Sequence, residues 1–221
     1  MGAEGHVVYD GASTSTIPMS TSAPELSMTD FVDIVHQSGI PKATKIRQVK
    51  QRPEYHPAFD FYKPVREATA DTHRQGGTKA QFIALAGAVS DPKKQANYPS
   101  VIKGYSKWWG SKSLTWFNPP RHEHVGSNVR VVVNPEIGLT WAAEKHVIKL
   151  HFKEARLDRY RIALILDLME YVLRPKVDVD VTMSVLDVRA SKLHSRGGGP
   201  LTNIPLVEAE LAYIAHLWPR V

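Results

Sequence analysis

The chain has 221 residues, 43% of them hydrophobic, which suffices for one large domain or for one domain with an appended N-terminal region. It has no cysteine, which excludes a disulfide framework, a thiolate zinc site and a cysteine nucleophile. No apolar run approaches the roughly 20 residues that span a bilayer. Lysine and arginine outnumber aspartate and glutamate by 28 to 22, and this net charge of +6 favours a polyanionic partner such as DNA or RNA.

No secretory signal is recognisable at the N-terminus, so we expect a cytoplasmic protein with no membrane partner. The composition leaves the oligomeric state open. Residues 1–26 are rich in Ser, Thr, Gly and Ala and contain few large apolar groups, so they are predicted to form a flexible tail. Ser27 and Asp30 resemble a capping box, which predicts that a short helix covers residues 27–39.

The densest positive run of the chain covers residues 40–53 and contains no acidic residue. Its cations are Lys42, Lys45, Arg47, Lys50 and Arg52. Two interpretations stay open. The run is either a solvated surface helix or arm, or a segment that binds nucleic-acid phosphates.

Glycine and proline punctuation divides the rest of the first half into short helices. We predict helices over residues 55–75 and 79–89, another from Asp91, and a further one from Tyr98-Pro99 to Gly110. Aromatic residues are densest over 105–117, among lysines that can contact phosphates while the aromatic rings stack on bases. These lysines are Lys103, Lys107 and Lys112. The favoured alternative places Trp108 and Trp109 in the core, because adjacent helical residues cannot both face outward.

From Leu114 onward the pattern changes to short strands joined by turns, which predicts antiparallel neighbours. The predicted strands cover residues 114–117, 129–133, 139–142, 145–153 and 177–188. In the last of these the alternation slips at Val185, which indicates either a bulge or burial of both faces. The glycines at 197–199 are predicted to form a flexible loop and not a phosphate loop, because no Lys-Ser/Thr follows them. Residues 205–218 are predicted to form the closing helix.

Residues 146–173 form the central feature of the sequence, a strand, a turn and the longest amphipathic helix, which starts near Leu157. Alternation along the strand assigns one face to the core and leaves Lys149, His151 and Lys153 on the other. The whole chain is therefore predicted to be α+β. A helical region, residues 27–112, packs on a mostly antiparallel sheet region, residues 113–221, as one compact unit crossed by the long helix.

From Tyr98 the order of predicted elements resembles the αβββαβ core of PD-(D/E)xK nucleases, over about residues 98–189. In that family an acidic residue on one strand and a D/E-x-K on the next hold a divalent metal and activate water. The resemblance implies that Glu136, His151 and Lys153 are catalytic and that Glu136 and His151 bind Mg²⁺ or Mn²⁺. His151 departs from the family, which has a carboxylate at this position, and magnesium prefers oxygen ligands. Two alternatives follow: either the core is degenerate and binds nucleic acid without cleaving it, or the resemblance is accidental.

Two smaller motifs carry weaker signals. His122-Glu123-His124 could chelate a metal on a strand, although an exposed idle loop is the favoured interpretation. Asp187 with Arg189 and Lys192 is predicted to form a structural ion pair. The sequence has no G-x-S-x-G elbow, dinucleotide fingerprint or Walker motif.

Three functions follow as hypotheses. The leading one is a nucleic-acid-associated protein of non-enzymatic type, to which the lysines and arginines already named and Lys149 contribute. The second is a metal-dependent nuclease of the PD-(D/E)xK type. The third is a protein-interaction or scaffold protein whose basic charge serves solubility alone.

Overall fold

A computed structural model describes residues 23–53 and 60–221, and within them the chain is α+β, as predicted. The helices are α1 (Met28–Val35), α2 (Gly39–Lys50), α3 (Lys63–Arg74), α4 (Lys79–Gly87), α5 (Pro92–Trp109), α6 (Arg159–Leu173) and α7 (Ile204–Leu217). The strands are β1 (Glu25–Ser27), β2 (Thr115–Phe117), β3 (His122–Gly126), β4 (Val129–Val133), β5 (Ile137–Trp141), β6 (Glu144–His151), β7 (Val181–Asp187) and β8 (Lys192–Ser195). Short 3-10 turns follow α6 and α7.

The strands form two sheets, where the sequence suggested one. The larger sheet has the order β2-β5-β6-β7-β8 and is antiparallel except for the β6–β7 pair. Helix α6 makes the crossover that a parallel pair requires. The smaller sheet has the order β1-β4-β3, with β1 parallel to β4. The β3–β4 hairpin is therefore an insertion between two neighbours of the larger sheet, β2 and β5.

The larger sheet is buried on both faces. Ile148 and Leu186 face a core shared with α3, α4 and α5. Val147 and Val185 face a second core, shared with α1, α6, α7 and the smaller sheet. Because β7 is buried on both sides and its pairing register with β6 is continuous, the alternation slip at Val185 reflects two buried faces and no bulge.

The N-terminal boundary differs from the prediction. Residues 1–22, most of the predicted tail, lie outside the described part of the chain. Residues 25–27 form β1, with Leu26 fully buried, so the tail prediction was wrong for its last residues because this leucine anchors the chain on β4. The predicted cap is confirmed, since the Ser27 side chain accepts a hydrogen bond from the Asp30 N–H.

Helix α5 is one continuous helix, whereas the sequence predicted two helices separated at Pro99. The proline removes one backbone hydrogen bond, but the continuous helix buries Tyr98 and Tyr105 in the core that α3, α4 and α5 share with the larger sheet, which outweighs that loss. Gly104 allows this packing. A Cβ at that position would lie 2.1 Å from the Val188 carbonyl oxygen. The start of the helix predicted from residue 55 lies outside the described residues, and α3 covers its second half.

Some strands differ from the predicted ones, at positions where polar residues obscure the alternation of apolar and polar side chains. Strands β3 and β8 were not predicted, because their alternating residues are histidine, glutamate and lysine as well as apolar ones. Residues 177–180 precede β7 and are not part of it. No helix in the described ranges combines the length and the apolar character needed to cross a membrane.

Candidate functional site

Glu136, the predicted first acidic ligand, forms a closed ion pair with Lys149. It stands just before β5, opposite Lys149 on β6, and its Oε1 lies 2.5 Å from the lysine Nζ. Its Oε2 accepts the Leu150 backbone N–H at 2.7 Å. The two side chains are only 8% and 10% exposed. An ammonium group therefore already neutralises this carboxylate, which disfavours a metal ion in the same place.

His151 has a different partner, as its Nε2 lies 2.7 Å from the Ala155 carbonyl oxygen. Burial lowers the pKa of His151, and the charges of Lys153 and Arg161 lower it further, against the raising effects of the Ala155 carbonyl and Asp187. The ring is therefore neutral near pH 7, and its Nε2 donates to the carbonyl. A nitrogen that carries this proton cannot bind a metal at the same time.

The three predicted catalytic residues thus have three separate partners, Lys149 for Glu136, Ala155 for His151 and Asp33 for Lys153. In residues 23–53 and 60–221 no group of three or more His, Asp or Glu side chains is placed to hold a metal ion. The sequence also placed Lys149 on an open basic strand face. That expectation was wrong, because α6 covers this face and Lys149 is paired beneath it.

Lys153 belongs instead to a cluster that the sequence did not predict, here called the Asp33 cluster. Three cations lie within 4.0 Å of the Asp33 carboxylate: Lys45 on α2, Lys153 after β6, and Arg161 on α6. The Asp33 side chain is 15% exposed, and the Nε of Arg161 is buried without a hydrogen-bond partner. One negative charge therefore faces three positive ones, and a local surplus of two remains.

The basic run over residues 40–53 is mostly occupied by contacts within the fold. Lys42 lies 2.7 Å from Glu210, Arg52 makes a two-point contact with Asp30, and Lys50 donates to the carbonyls of Trp218 and Val221. Arg47 is exposed and has no partner within the described residues. The run is therefore a packed helix, and it is not a free arm.

Trp108 and Trp109 of the aromatic stretch lie in the core, as the favoured alternative predicted. Trp108 and Trp109 are 6% and 8% exposed, so neither ring is available to stack on a base. Lys112 donates to the Trp108 carbonyl and lies 5.0 Å from the Trp108 ring centre. Of the predicted nucleic-acid-binding lysines on this helix, Lys103 and Lys107 remain exposed on α5, without a partner among the described residues.

The two smaller motifs are structural or idle. His122-Glu123-His124 lies on β3 and not in a loop. His124 contacts Glu208 on α7 at 2.8 Å, and His122 is exposed. The ion pair predicted for Asp187 was wrong. Its oxygens accept the backbone N–H groups of Leu157 and Ala190, because it closes the turn after β7.

A second group of basic residues that sequence reasoning missed lines a cleft of about 450 Å³ between α6 and β8. Arg159 of α6, and Lys192, His194 and Arg196 of β8 and the loop after it, line this α6–β8 cleft. Together with Arg161, Arg159 marks the first turn of α6 as strongly basic. The three arginines at residues 156, 159 and 161 were the available sequence signal, but the structure was needed to show which cations have an acidic partner and which do not.

Comparisons with protein-family models, curated proteins and solved structures return no match. Function must therefore be inferred from the chemistry of these residues.

Proposed function

We propose that this protein binds nucleic acid without cleaving it, through phosphate contacts made by the Asp33 cluster. The supporting observation is the surplus of two positive charges around Asp33. An isolated ion pair needs one cation for each carboxylate, whereas here Lys45, Lys153 and Arg161 converge on one. A nucleic-acid phosphate carries one negative charge, so one such group beside Asp33 would halve that surplus and a second would remove it.

The surroundings favour a polymer with repeated phosphates. Arg47, Arg156 and Arg159 are exposed on α2 and around the first turn of α6, the helices that carry Lys45 and Arg161. The net charge of +6 attracts a polyanion over distances that a single contact does not reach. Phosphate contacts of this kind give affinity with little sequence preference.

The absence of cleavage is part of the proposal. It is supported by the separate partners of Glu136, His151 and Lys153 and by the ammonium group of Lys149 at the carboxylate. Lys153, assigned to catalysis by the nuclease resemblance, is reassigned here to phosphate binding. The nuclease and scaffold hypotheses predict different outcomes in two experiments, one on binding and one on cleavage.

The test is fluorescence anisotropy with labelled single- and double-stranded DNA and RNA over a salt series. We expect affinity to fall as salt rises, and Lys153→Gln and Arg161→Gln each to reduce the slope of log K against log salt by about 1. Lys93→Gln, which removes an exposed charge from α5, is the matched control and keeps the wild-type slope. No binding at low salt would contradict the proposal and favour the scaffold hypothesis.

The same labelled substrates are then incubated with Mg²⁺ or Mn²⁺, with and without a chelator. We expect the nucleic acid to stay intact. Metal-dependent cleavage that Lys153→Ala abolishes would instead establish the nuclease hypothesis.

A further inference from the structure

The α6–β8 cleft is separate from the Asp33 cluster and has the size of a small-molecule site. Its volume of about 450 Å³ lies within the range of roughly 300–1,000 Å³ that ligand pockets occupy. The helix contributes Arg159 and the apolar side chains of Ile162 and Leu166. The opposite wall is formed by β8 and the glycine-rich loop after it.

The charges that line the cleft do not balance. Arg196 lies 3.4 Å from Asp167, which also accepts hydrogen bonds from the backbone and side chain of Asn203. Arg159 and Lys192 are exposed, and neither has a hydrogen-bond or ion-pair partner among the described residues. Three cations and one carboxylate therefore leave a lining charge of +2.

Asp187 does not cancel this charge. It stands opposite Lys192 in the β7–β8 ladder, but it is 4% exposed and its oxygens accept backbone N–H groups. His194 adds no charge near neutral pH, because burial and the charge of Lys192 lower its pKa against the opposite effect of Asp187.

The loop wall is arranged to tolerate an anion. The two terminal nitrogens of Arg196 donate to the carbonyl oxygens of Gly197, Gly199 and Pro200, so these acceptors are already occupied. The Nε of Arg196 is buried and faces the Oδ1 of Asp167 at 3.4 Å, so the charge of Arg196 is compensated inside the wall. A Cβ added at Gly197 or Gly198 would meet no atom within 4 Å, so packing does not demand these glycines. Their missing side chains leave the backbone open to close approach by a ligand.

We infer that the α6–β8 cleft binds a phosphomonoester that carries a small organic group, such as a nucleoside monophosphate. The dianionic phosphate matches the lining charge of +2 from Arg159, Lys192 and the Arg196–Asp167 pair. The organic group has room beside Ile162 and Leu166. This site goes beyond the proposed function, because it uses none of the four residues of the Asp33 cluster and shares only the exposed Arg159 with the surroundings of that cluster.

The test is isothermal titration calorimetry of the full chain with adenosine monophosphate, adenosine and inorganic phosphate. We expect the monophosphate to bind about tenfold or more tightly than adenosine, since charge-assisted hydrogen bonds supply the difference. Arg159→Gln and Lys192→Gln should each weaken monophosphate binding about tenfold or more, whereas Lys93→Gln should leave it unchanged. Binding that both cleft variants retain would overturn the inference.

The phosphomonoester could come from a free nucleotide or from the 5′ end of a nucleic acid. Oligonucleotides with a 5′-phosphate or a 5′-hydroxyl separate these sources. Either monophosphate binding or a preference for the 5′-phosphate end that Lys192→Gln abolishes supports the site, and failure of both overturns it. Lys192→Gln should not change the salt slope for the 5′-hydroxyl oligonucleotide, so failure here is distinguishable from failure of the proposed function.

Discussion

Two lysines four residues apart, Lys149 and Lys153, stand in opposite electrostatic surroundings. Lys149 forms a one-to-one pair with Glu136 inside the larger sheet, and its side chain is 10% exposed. Lys153 is 40% exposed and shares the carboxylate of Asp33 with two further cations. A lysine's position in a basic sequence pattern therefore does not fix its role. What distinguishes a structural cation from a binding one is whether its charge is already compensated.

The largest expected effect on stability comes from breaking the ion pair between Glu136 and Lys149. Glu136→Gln would leave the Lys149 ammonium buried without its carboxylate, which should destabilise the protein by about 3–5 kcal/mol in urea unfolding. The double variant Glu136→Gln/Lys149→Met, which removes both charges, should recover most of that loss. A single variant as stable as the wild type would show that the pair is not closed.

His73, on α3, is a further titratable group that is buried inside the fold, as the Glu136–Lys149 pair is. It is 3% exposed, its Nε2 lies 2.7 Å from the Tyr105 hydroxyl, and burial lowers its pKa from 6.5 to about 4. The unfolded chain therefore binds a proton first, so stability is fully present above pH 6.5 and is lost as the pH falls to about 4. The loss attributable to His73 should approach about 3 kcal/mol.

Urea unfolding between pH 7 and pH 4 checks this effect. Since other histidines also have lowered pKa values, the comparison is with His73→Gln, whose unfolding free energy should fall less steeply over the same pH range. Equal pH slopes in the two proteins would exclude His73 as the source.

Lys153→Gln should cost much less stability than Glu136→Gln. Asp33 keeps Lys45 and Arg161 as partners, and exposed ion pairs contribute little, so we expect a loss below about 1 kcal/mol. Urea unfolding alongside Glu136→Gln measures the contrast. A loss as large as that of Glu136→Gln would show that the charge of Lys153 stabilises the fold and is not available for binding, which would remove the basis of the proposed binding site.

Lys192→Gln should have the smallest effect on unfolding. Its exposed ammonium has no partner among the described residues, so the free energy of unfolding without ligand should change by no more than about 0.5 kcal/mol. With adenosine monophosphate present, the wild type should gain stability and the variant should gain less, which thermal unfolding can detect.

The sequence predicted those parts of the fold that local rules govern. The cap at Ser27, the closing helix and the strand β4 followed from hydrogen-bonding and alternation patterns within a few residues. Strands β3 and β8 did not, because their pairing depends on partners elsewhere in the chain. The helix break predicted at Pro99 was wrong for the same reason, since the tertiary burial of α5 decides whether the helix continues.

The candidate sites were less accessible to sequence reasoning. The basic residues Lys45 and Lys153 were recognised, but nothing local shows that they share Asp33, which lies on α1. In the same way, alternation placed Lys149 on the polar face of β6, but only the packing of α6 shows that this face is buried. Charge compensation is a property of contacts between distant segments, and a single sequence does not reveal them.

The most direct test of the account compares two double variants in one nucleic-acid binding experiment. Glu136→Gln/Lys149→Met removes the closed pair without changing the net charge, whereas Lys153→Gln/Arg161→Gln removes two cations of the Asp33 cluster. The predicted result is that the first variant keeps the wild-type dependence of affinity on salt and that the second lowers the slope by about 2. A lower slope for the first variant, or an unchanged slope for the second, would contradict it.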